Sequence, residues 1–178
     1  MQKANIIETN LEFGKLYARE CTDMLVIHHT GNAADDDMSA RQIHLSHKNN
    51  GWAGIGYHYV VRKDGSIERG RPHWSVGAHA YGENWHTIGI HVCGNFELAE
   101  PSQGQIEALA MLIGTVADVY GLEITDKVVV PHGILMPTAC PGSNLASMLR
   151  IIQTAVKPLA SAMGIQFNVD SLVLVYLK

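Results

Sequence analysis

Two side chains that bind zinc well lie close together in the C-terminal half of this sequence. His132 and Cys140 belong to one short segment, which reads Val-Pro-His-Gly-Ile-Leu-Met-Pro-Thr-Ala-Cys-Pro from Val130 to Pro141. Imidazole and thiolate are both good ligands for zinc. Proline rings fix φ at about −65°, so the sequence predicts a stiff loop that holds both ligands at a set angle.

A third ligand has to come from elsewhere in the chain, because a catalytic zinc site has protein ligands at three positions and an open fourth. His28 is the best candidate, since it ends the apolar segment Met24-Leu25-Val26-Ile27, which is typical of a buried strand. His28, His132 and Cys140 together form a set that can bind Zn²⁺. The spacing of His132 and Cys140 is not that of a zinc finger, however. The residues alone therefore leave open two unrelated surface histidines and a buried free cysteine.

The composition is that of one globular domain. The chain has 178 residues, of which 47% are apolar, and a net charge of −4 with histidine counted as neutral. The absence of a Lys/Arg cluster argues against a nucleic-acid partner.

No apolar segment approaches the roughly 20 residues of a membrane helix. Residues 1–10 carry charge and lack an apolar core, so we expect neither a membrane span nor a signal peptide.

The cysteine count predicts no disulfide framework. The three cysteines are an odd number and form no Cys-x-x-Cys motif. One pairing, between Cys21 and Cys93, stays open for a protein that works outside a cell. Nothing in the sequence indicates an oligomeric state.

Hydrophobic patterning predicts strands and helices that alternate along the chain. Besides Met24–Ile27, the expected strands are segments rich in β-forming residues, at 56–61, 66–69, 87–92 and 128–130. Helices are expected after the capping boxes that begin at Ser39 and Ser102, and after Asn144 as an N-cap. Gly121 is expected to end the second helix. Residues 70–86 show no period, so a long surface loop is predicted there.

This pattern predicts an α/β fold, a single domain with a mixed central β-sheet flanked by helices on both faces. Residues 1–21 are expected to be an extended lead-in, and residues 22–160 the domain itself. Residues 161–178 are expected to be a tail, either an added edge strand or the start of a lost module.

Five sequence blocks carry a resemblance to a known family. In chain order they are Val26-Ile27-His28-His29-Thr30, Gly56-Tyr57-His58-Tyr59, Val76-Gly77-Ala78-His79-Ala80, Thr87-Ile88-Gly89-Ile90 and Pro137-Thr138-Ala139-Cys140-Pro141. Each block is weakly specific, but five in this order are strongly specific. Over about residues 22–158 the chain resembles the zinc-dependent N-acetylmuramoyl-L-alanine amidases of the type 2 family, which includes phage lysozyme-like amidases and peptidoglycan recognition proteins.

The resemblance implies roles for individual residues. His28, His132 and Cys140 match the family's zinc ligands. Tyr57 matches a tyrosine beside the metal, where a phenol can donate a hydrogen bond to the developing oxyanion; the alternative is an ordinary strand aromatic. Thr138 falls where the family carries a polar or basic residue that orients the scissile carbonyl or the water; the alternative is a turn residue.

One position departs from the family's commonest pattern. After Ile-Gly-Ile many members carry a glutamate that serves as general base, and this chain carries His91. An imidazole is a competent base near neutral pH. His91 is therefore expected to be either the base or a cleft residue.

Several other polar and aromatic residues are expected either to line the substrate groove or to have a structural role. In the family the long loop lines the groove, so His79, Asn84 and Trp85 are expected to contact substrate. Alternation along the strand predicts a structural role for His29 on the opposite face. His44 and His47 have helical ligand spacing but no accompanying acid or Cys, so an exposed helix face is predicted.

The expected function is zinc-dependent cleavage of the amide between N-acetylmuramic acid and L-alanine in peptidoglycan, that is, lysis or remodelling of the cell wall. The expected partners are peptidoglycan or muropeptides. Two alternatives stay open: a non-catalytic peptidoglycan-binding module of the same fold, and a zinc hydrolase of another amide. Binding modules of the family usually lack the Cys ligand, whereas this chain retains Cys140.

Overall fold

A six-stranded mixed sheet organises the part of the chain that the computed structural model describes, residues 4–161. The strands are β1 (Ile6–Ile7), β2 (Met24–His29), β3 (Tyr59–Val61), β4 (Ile67–Arg69), β5 (Thr87–Val92) and β6 (Val129–Pro131). The helices are α1 (Ala40–Asn49), α2 (Gln103–Tyr120), α3 (His132–Leu135) and α4 (Ser143–Ser161). The predicted α/β class and mixed sheet are confirmed.

The strands lie in the order β1-β4-β3-β5-β2-β6. β3 and β4 form an antiparallel hairpin, and the other neighbouring strands run parallel. The longest pairing joins β2 and β5, over six residues of each strand. Every residue of β5 is buried, as expected for a parallel strand that is covered on both faces.

Side-chain alternation divides the sheet into two differently packed faces. On the first face, Leu25 and Ile27 of β2 join a large apolar core with residues of α2 and α4. On the second face, Val60 of β3 packs with Ala40 and Ile43 of α1 in a smaller core. His28 and its strand neighbour His91 alternate onto this second face. The site therefore lies on the side of the sheet that α1 covers.

Most of the predicted elements are confirmed. Both capping boxes form: Ser39 and Ser102 each accept a hydrogen bond from the backbone three residues on. Gly121 ends α2 with a left-handed φ of 64°, a conformation that costs glycine little. Strand β5 has the predicted bounds, and residues 70–86 contain no helix or named strand.

Three local predictions are wrong. The strand predicted over 56–61 begins only at Tyr59, because the backbones of Gly56 and Tyr57 pair with loop residues Ala78 and Arg71 instead. Asn144 is not an N-cap: α4 begins at Ser143, and the Asn144 amide donates to the carbonyl of residue 99 at 3.0 Å. The segment after β6 was predicted as a loop, but it contains the short helix α3.

The lead-in is tied to the sheet. Ile6 and Ile7 pair with β4, and the guanidinium of Arg19 donates to the carbonyls of Ser75 and His73 in the long loop. The boundaries of lead-in, domain and tail stay a prediction, and residues 162–178 of the predicted tail lie outside the described residues. Within residues 4–161, the helices lack the length and apolarity needed to cross a bilayer.

All three cysteines are free thiols. Cys21 is exposed, whereas Cys93 is buried and its thiol donates to the carbonyl of Met38 at 3.0 Å. The pairing that the sequence left open between Cys21 and Cys93 is therefore not formed.

Candidate metal centre and active site

Three potential ligands converge where β2 and β6 end. These strands pair in parallel, with Ile27 opposite Pro131. His28 and His132 follow directly, and their rings lie 4.4 Å apart between centroids. With Cys140 they form a cluster whose ligand atoms all lie within 4.8 Å of one another, in the part of the chain that the structure describes. The structure thus brings together the three side chains that the sequence singled out.

Backbone hydrogen bonds hold the Cys140 thiol in place. Its sulfur lies 3.8 Å from Nδ1 of His28 and accepts the backbone N–H of His29 at 3.4 Å. The Cys140 carbonyl accepts the N–H of Gly133 at 2.7 Å, which closes the segment between the two later ligands. Burial raises the pKa of Cys140 to about 11, against the opposing effect of the His29 N–H. A cation at the site would favour the thiolate.

The two imidazoles of the cluster are held neutral. Burial lowers the pKa of His28 well below its ordinary value, and the neighbouring histidines His79, His132 and His91 lower it further. Burial also lowers the pKa of His132. Neutral imidazole is the form that binds a metal, because the ligand nitrogen must carry a lone pair. Two neutral imidazoles and one thiol are a donor set that fits Zn²⁺.

His79 lies directly behind the cluster. Its Nδ1 is 3.1 Å from Nε2 of His28, and its Nε2 is 3.4 Å from the hydroxyl of Thr87. Burial and then the neighbouring His132 lower the pKa of His79 to about 3. Both ring nitrogens of His79 are therefore engaged within the protein.

Tyr57 packs between the cluster and the neighbouring strand. Its ring centroid lies 5.0 Å from that of His28 and 4.8 Å from that of His91. Burial raises the pKa of the Tyr57 phenol, and nearby Cys140 raises it further. The phenol therefore keeps its proton at neutral pH and can donate a hydrogen bond.

His91 occupies a buried position next to the cluster. It is 3% exposed, and its Nε2 lies 3.1 Å from the hydroxyl of Thr30. Its Nδ1 is buried and has no hydrogen-bond partner among residues 4–161. Burial and then the neighbouring His29 and His47 lower the pKa of His91 to about 3.

The other predicted site residues differ in exposure. Thr138 is exposed, and its hydroxyl accepts the backbone N–H of Cys140 at 3.2 Å. Asn84 accepts the N–H groups of His79 and Ala80 through one side-chain oxygen, at 2.7 and 3.0 Å, which shapes the loop. Trp85 is 58% exposed. Of His79, Asn84 and Trp85, Trp85 presents the most free surface.

The prediction of an exposed face for His44 and His47 is wrong. His44 is 4% exposed and binds the carbonyl of Glu12 through Nε2 at 3.1 Å. His47 accepts the N–H of Gly56 at 3.0 Å, and its ring lies 5.8 Å from that of Tyr57. The signal was their helical spacing from buried Ile43 and Ala40, which assigns them to the inner face of α1. His29 lies on the opposite face of the sheet, where its ring stacks on Phe96 at 6.1 Å.

Comparisons of the sequence with known proteins agree with this geometry. The family model for N-acetylmuramoyl-L-alanine amidase matches residues 18–143. The endolysin of Escherichia phage T7 is 31% identical over 132 residues, which cover 71% of this chain and 85% of the endolysin. The N-acetylmuramoyl-L-alanine amidase of Sus scrofa is 35% identical over 134 residues, which cover 75% of this chain and 21% of that protein.

Among solved structures, an endolysin amidase and a peptidoglycan recognition protein have a similar fold. The endolysin amidase LysCS from Clostridium intestinale superposes with a TM-score of 0.74 at 35% identity, covering 80% of this chain and 90% of LysCS. The bumblebee peptidoglycan recognition protein SA superposes with a TM-score of 0.72 at 27% identity, covering 82% of this chain and 93% of that protein.

Proposed function

Because the chain belongs to the N-acetylmuramoyl-L-alanine amidase family, we propose that it cleaves the amide between N-acetylmuramic acid and L-alanine in peptidoglycan. The observation that carries the proposal is the convergence of His28, His132 and Cys140 inside the matched residues, with ligand atoms within 4.8 Å of one another. The catalytic unit would be residues 22–160, and its target the cell wall.

We propose that His28, His132 and Cys140 hold one Zn²⁺. The donor chemistry supports this, because two neutral imidazoles and a thiol are a typical zinc set. The N–H of His29, directed at the Cys140 sulfur at 3.4 Å, would stabilise the thiolate. Zinc, when bound, supplies Lewis acidity, which polarises an amide carbonyl and lowers the pKa of water.

Tyr57 is proposed to donate a hydrogen bond to the oxyanion that develops on the scissile carbonyl. The position of its ring beside His28 supports this role. Its raised pKa also supports it, because the phenol remains a donor over the neutral range. A donor that is already in place before the reaction stabilises developing charge without reorganisation.

His91 is proposed to accept the proton from the attacking water, or else to serve as a cleft residue. Its unpartnered Nδ1 supports the first role, because a free ring nitrogen can accept a proton. The lowered pKa makes His91 a weak base, which supports the alternative role as a cleft residue. Thr138 is proposed to orient the carbonyl or the water, since accepting the Cys140 N–H leaves its own hydroxyl proton free.

The substrate is proposed to lie along the loop 70–86. The exposed indole of Trp85 offers an apolar surface to a sugar ring or to a stem peptide. Asn84 shapes the same loop through two backbone N–H groups. Both ring nitrogens of His79 are engaged within the protein, and its contact with substrate stays a prediction.

Incubation of the purified full chain with muropeptides tests this proposal. We expect release of peptides that begin with L-alanine, loss of this activity after chelation, and its return on adding Zn²⁺. Muropeptide binding without cleavage by the zinc-loaded protein would instead favour the binding module. Cleavage that survives complete metal removal would contradict the zinc mechanism. Cleavage of other amides at the same rate would favour a broader hydrolase.

A further inference from the structure

Two glycines make the space that the ring of His79 occupies. A Cβ atom at Gly89 of β5 would lie 2.5 Å from Cγ and Cδ2 of His79. A Cβ atom at Gly77 would lie 2.5 Å from the same Cδ2. Contacts this short do not occur between real side chains. Both positions therefore have to be glycine, which has no Cβ atom. The backbone N–H of His79 is fixed as well, by donation to Asn84 at 2.7 Å.

The ring of His79 belongs to a chain of hydrogen bonds that ends at the candidate metal ligands. The Thr87 hydroxyl donates to the carbonyl of Glu83 at 2.8 Å. Nε2 of His79 lies 3.4 Å from that hydroxyl oxygen, and Nδ1 of His79 lies 3.1 Å from Nε2 of His28. Nδ1 of His28 in turn lies 3.8 Å from the Cys140 sulfur.

The direction of these bonds follows from the Thr87 hydroxyl. Its single proton is directed at the Glu83 carbonyl, so its oxygen has to accept from Nε2–H of His79. A neutral His79 then has a lone pair at Nδ1, which accepts Nε2–H of His28. Neutral His28 is left with its lone pair at Nδ1, on the side that faces Cys140.

We propose that His79 is a positioning residue that fixes the ring orientation and tautomer of His28, so that Nδ1 of His28 faces the metal. Partners behind a ligating histidine generally orient its ring and set its tautomer. Here a second histidine does so, seated by Gly77 and Gly89 and oriented by Thr87. The part of the proposal that concerns metal binding rests on the proposed zinc site, whereas the tautomers do not.

Ring-nitrogen NMR of the metal-free full chain tests the tautomers directly. Long-range proton–nitrogen spectra distinguish a protonated ring nitrogen from one with a lone pair. We expect both His28 and His79 as the Nε2–H tautomer, and a mixture of His79 tautomers in Thr87→Val. His28 found mainly as the Nδ1–H tautomer in the unsubstituted protein would overturn the proposal.

Zinc affinity, measured by competition with a chromophoric chelator, tests the consequence. His79→Ala should weaken zinc binding about 10- to 100-fold, the range typical of such partners. His79→Asn should recover part of the loss, because its side-chain oxygen can stand near the place of Nδ1. Thr115→Val is the control for Thr87→Val, since it removes a threonine hydroxyl that donates to a backbone carbonyl, at 2.8 Å, away from the site. Unchanged affinity in folded His79→Ala would overturn the positioning role.

A double-substitution cycle separates this role from general packing. Thr87→Val should weaken zinc binding on its own but have no further effect in the His79→Ala background, because it acts through His79. Additive effects would overturn the relay. If the unsubstituted chain binds no zinc, the proposed function fails, and the metal part of this proposal fails with it. The NMR result on the metal-free chain then still decides the hydrogen-bond chain.

Discussion

His28 and His91 occupy directly paired positions on the two longest strands, β2 and β5. Both alternate onto the face that α1 covers, but their rings have different partners. One ring nitrogen of His28 lies 3.8 Å from the Cys140 sulfur, whereas His91 lies 3.1 Å from the Thr30 hydroxyl. Tyr57 packs against both rings. A candidate metal ligand, His28, and a candidate proton acceptor, His91, thus lie side by side on one surface.

The role of His91 can be tested by removing it. If His91 is the general base, His91→Ala should lower turnover on muropeptides by about 10²- to 10⁴-fold while zinc content per chain stays the same. His91→Glu should restore part of the activity, because a carboxylate can also accept the proton. Turnover of His91→Ala equal to that of the unsubstituted chain would make His91 a cleft residue.

Cys140 is expected to be indispensable for the metal. Cys140→Ala should lose nearly all bound zinc, since the site would keep two protein ligands instead of three. Metal analysis of the purified protein measures this directly. Cys21→Ser is the control, because Cys21 is an exposed free thiol and should be replaced without loss of zinc. Stoichiometric zinc in Cys140→Ala would exclude Cys140 as a main ligand.

Tyr57→Phe should keep both the fold and the zinc but lose rate. Loss of one oxyanion donor costs roughly 10²- to 10³-fold in turnover. The ring contacts with His28 and His91 do not involve the hydroxyl, so phenylalanine should preserve them. The measurement is turnover on muropeptides together with zinc content, and an unchanged turnover would return Tyr57 to a packing role.

Much of the fold was predictable because local signals agreed with burial. The apolar segment before His28 and the capping boxes at Ser39 and Ser102 each specify an element through neighbouring residues. The ligand set was predictable in part from residue types. That His28 lies beside His132, however, depends on the pairing of β2 with β6, which joins residues a hundred positions apart.

What could not be predicted depends on contacts between distant segments. Helical spacing could have placed His44 on the inner face of α1, but no local pattern indicates its contact with the distant carbonyl of Glu12. The contact between His79 and His28 likewise joins residues that are distant in sequence. Gly89 marked the resemblance, but its physical reason, space for the His79 ring, requires the fold.

Arg19 is expected to connect the lead-in to the rest of the domain. Its guanidinium donates to the carbonyls of Ser75 and His73 at 2.7 and 2.6 Å, and to the Tyr120 hydroxyl at 3.0 Å. Arg19→Ala should lower the free energy of unfolding by about 2–3 kcal/mol, because partly buried acceptors lose a charged hydrogen-bond donor. Urea unfolding measures this. Exposed Arg41→Ala is the control and should change stability by less than about 0.5 kcal/mol; equal effects would contradict the connection.

The last prediction concerns His86, which lies between the carboxylates of Asp23 and Glu83. Burial lowers the pKa of His86, but the hydrogen bonds to Asp23 and then Glu83 outweigh it, so the net pKa is raised. A group whose folded pKa is raised stabilises the fold fully below its unfolded pKa, and this contribution is lost as pH rises through the folded pKa.

The stability difference between the unsubstituted chain and His86→Gln should therefore be largest below about pH 6, where histidine is protonated. It should shrink as pH rises through the raised pKa of His86. Urea midpoints at a series of pH values measure it. Asp23→Asn should reduce the pH dependence, and added salt should weaken it, because the Asp23 side chain is 64% exposed. A difference that does not change with pH would show that His86 contributes through packing, for example against Trp85 at 4.5 Å, rather than through its charge.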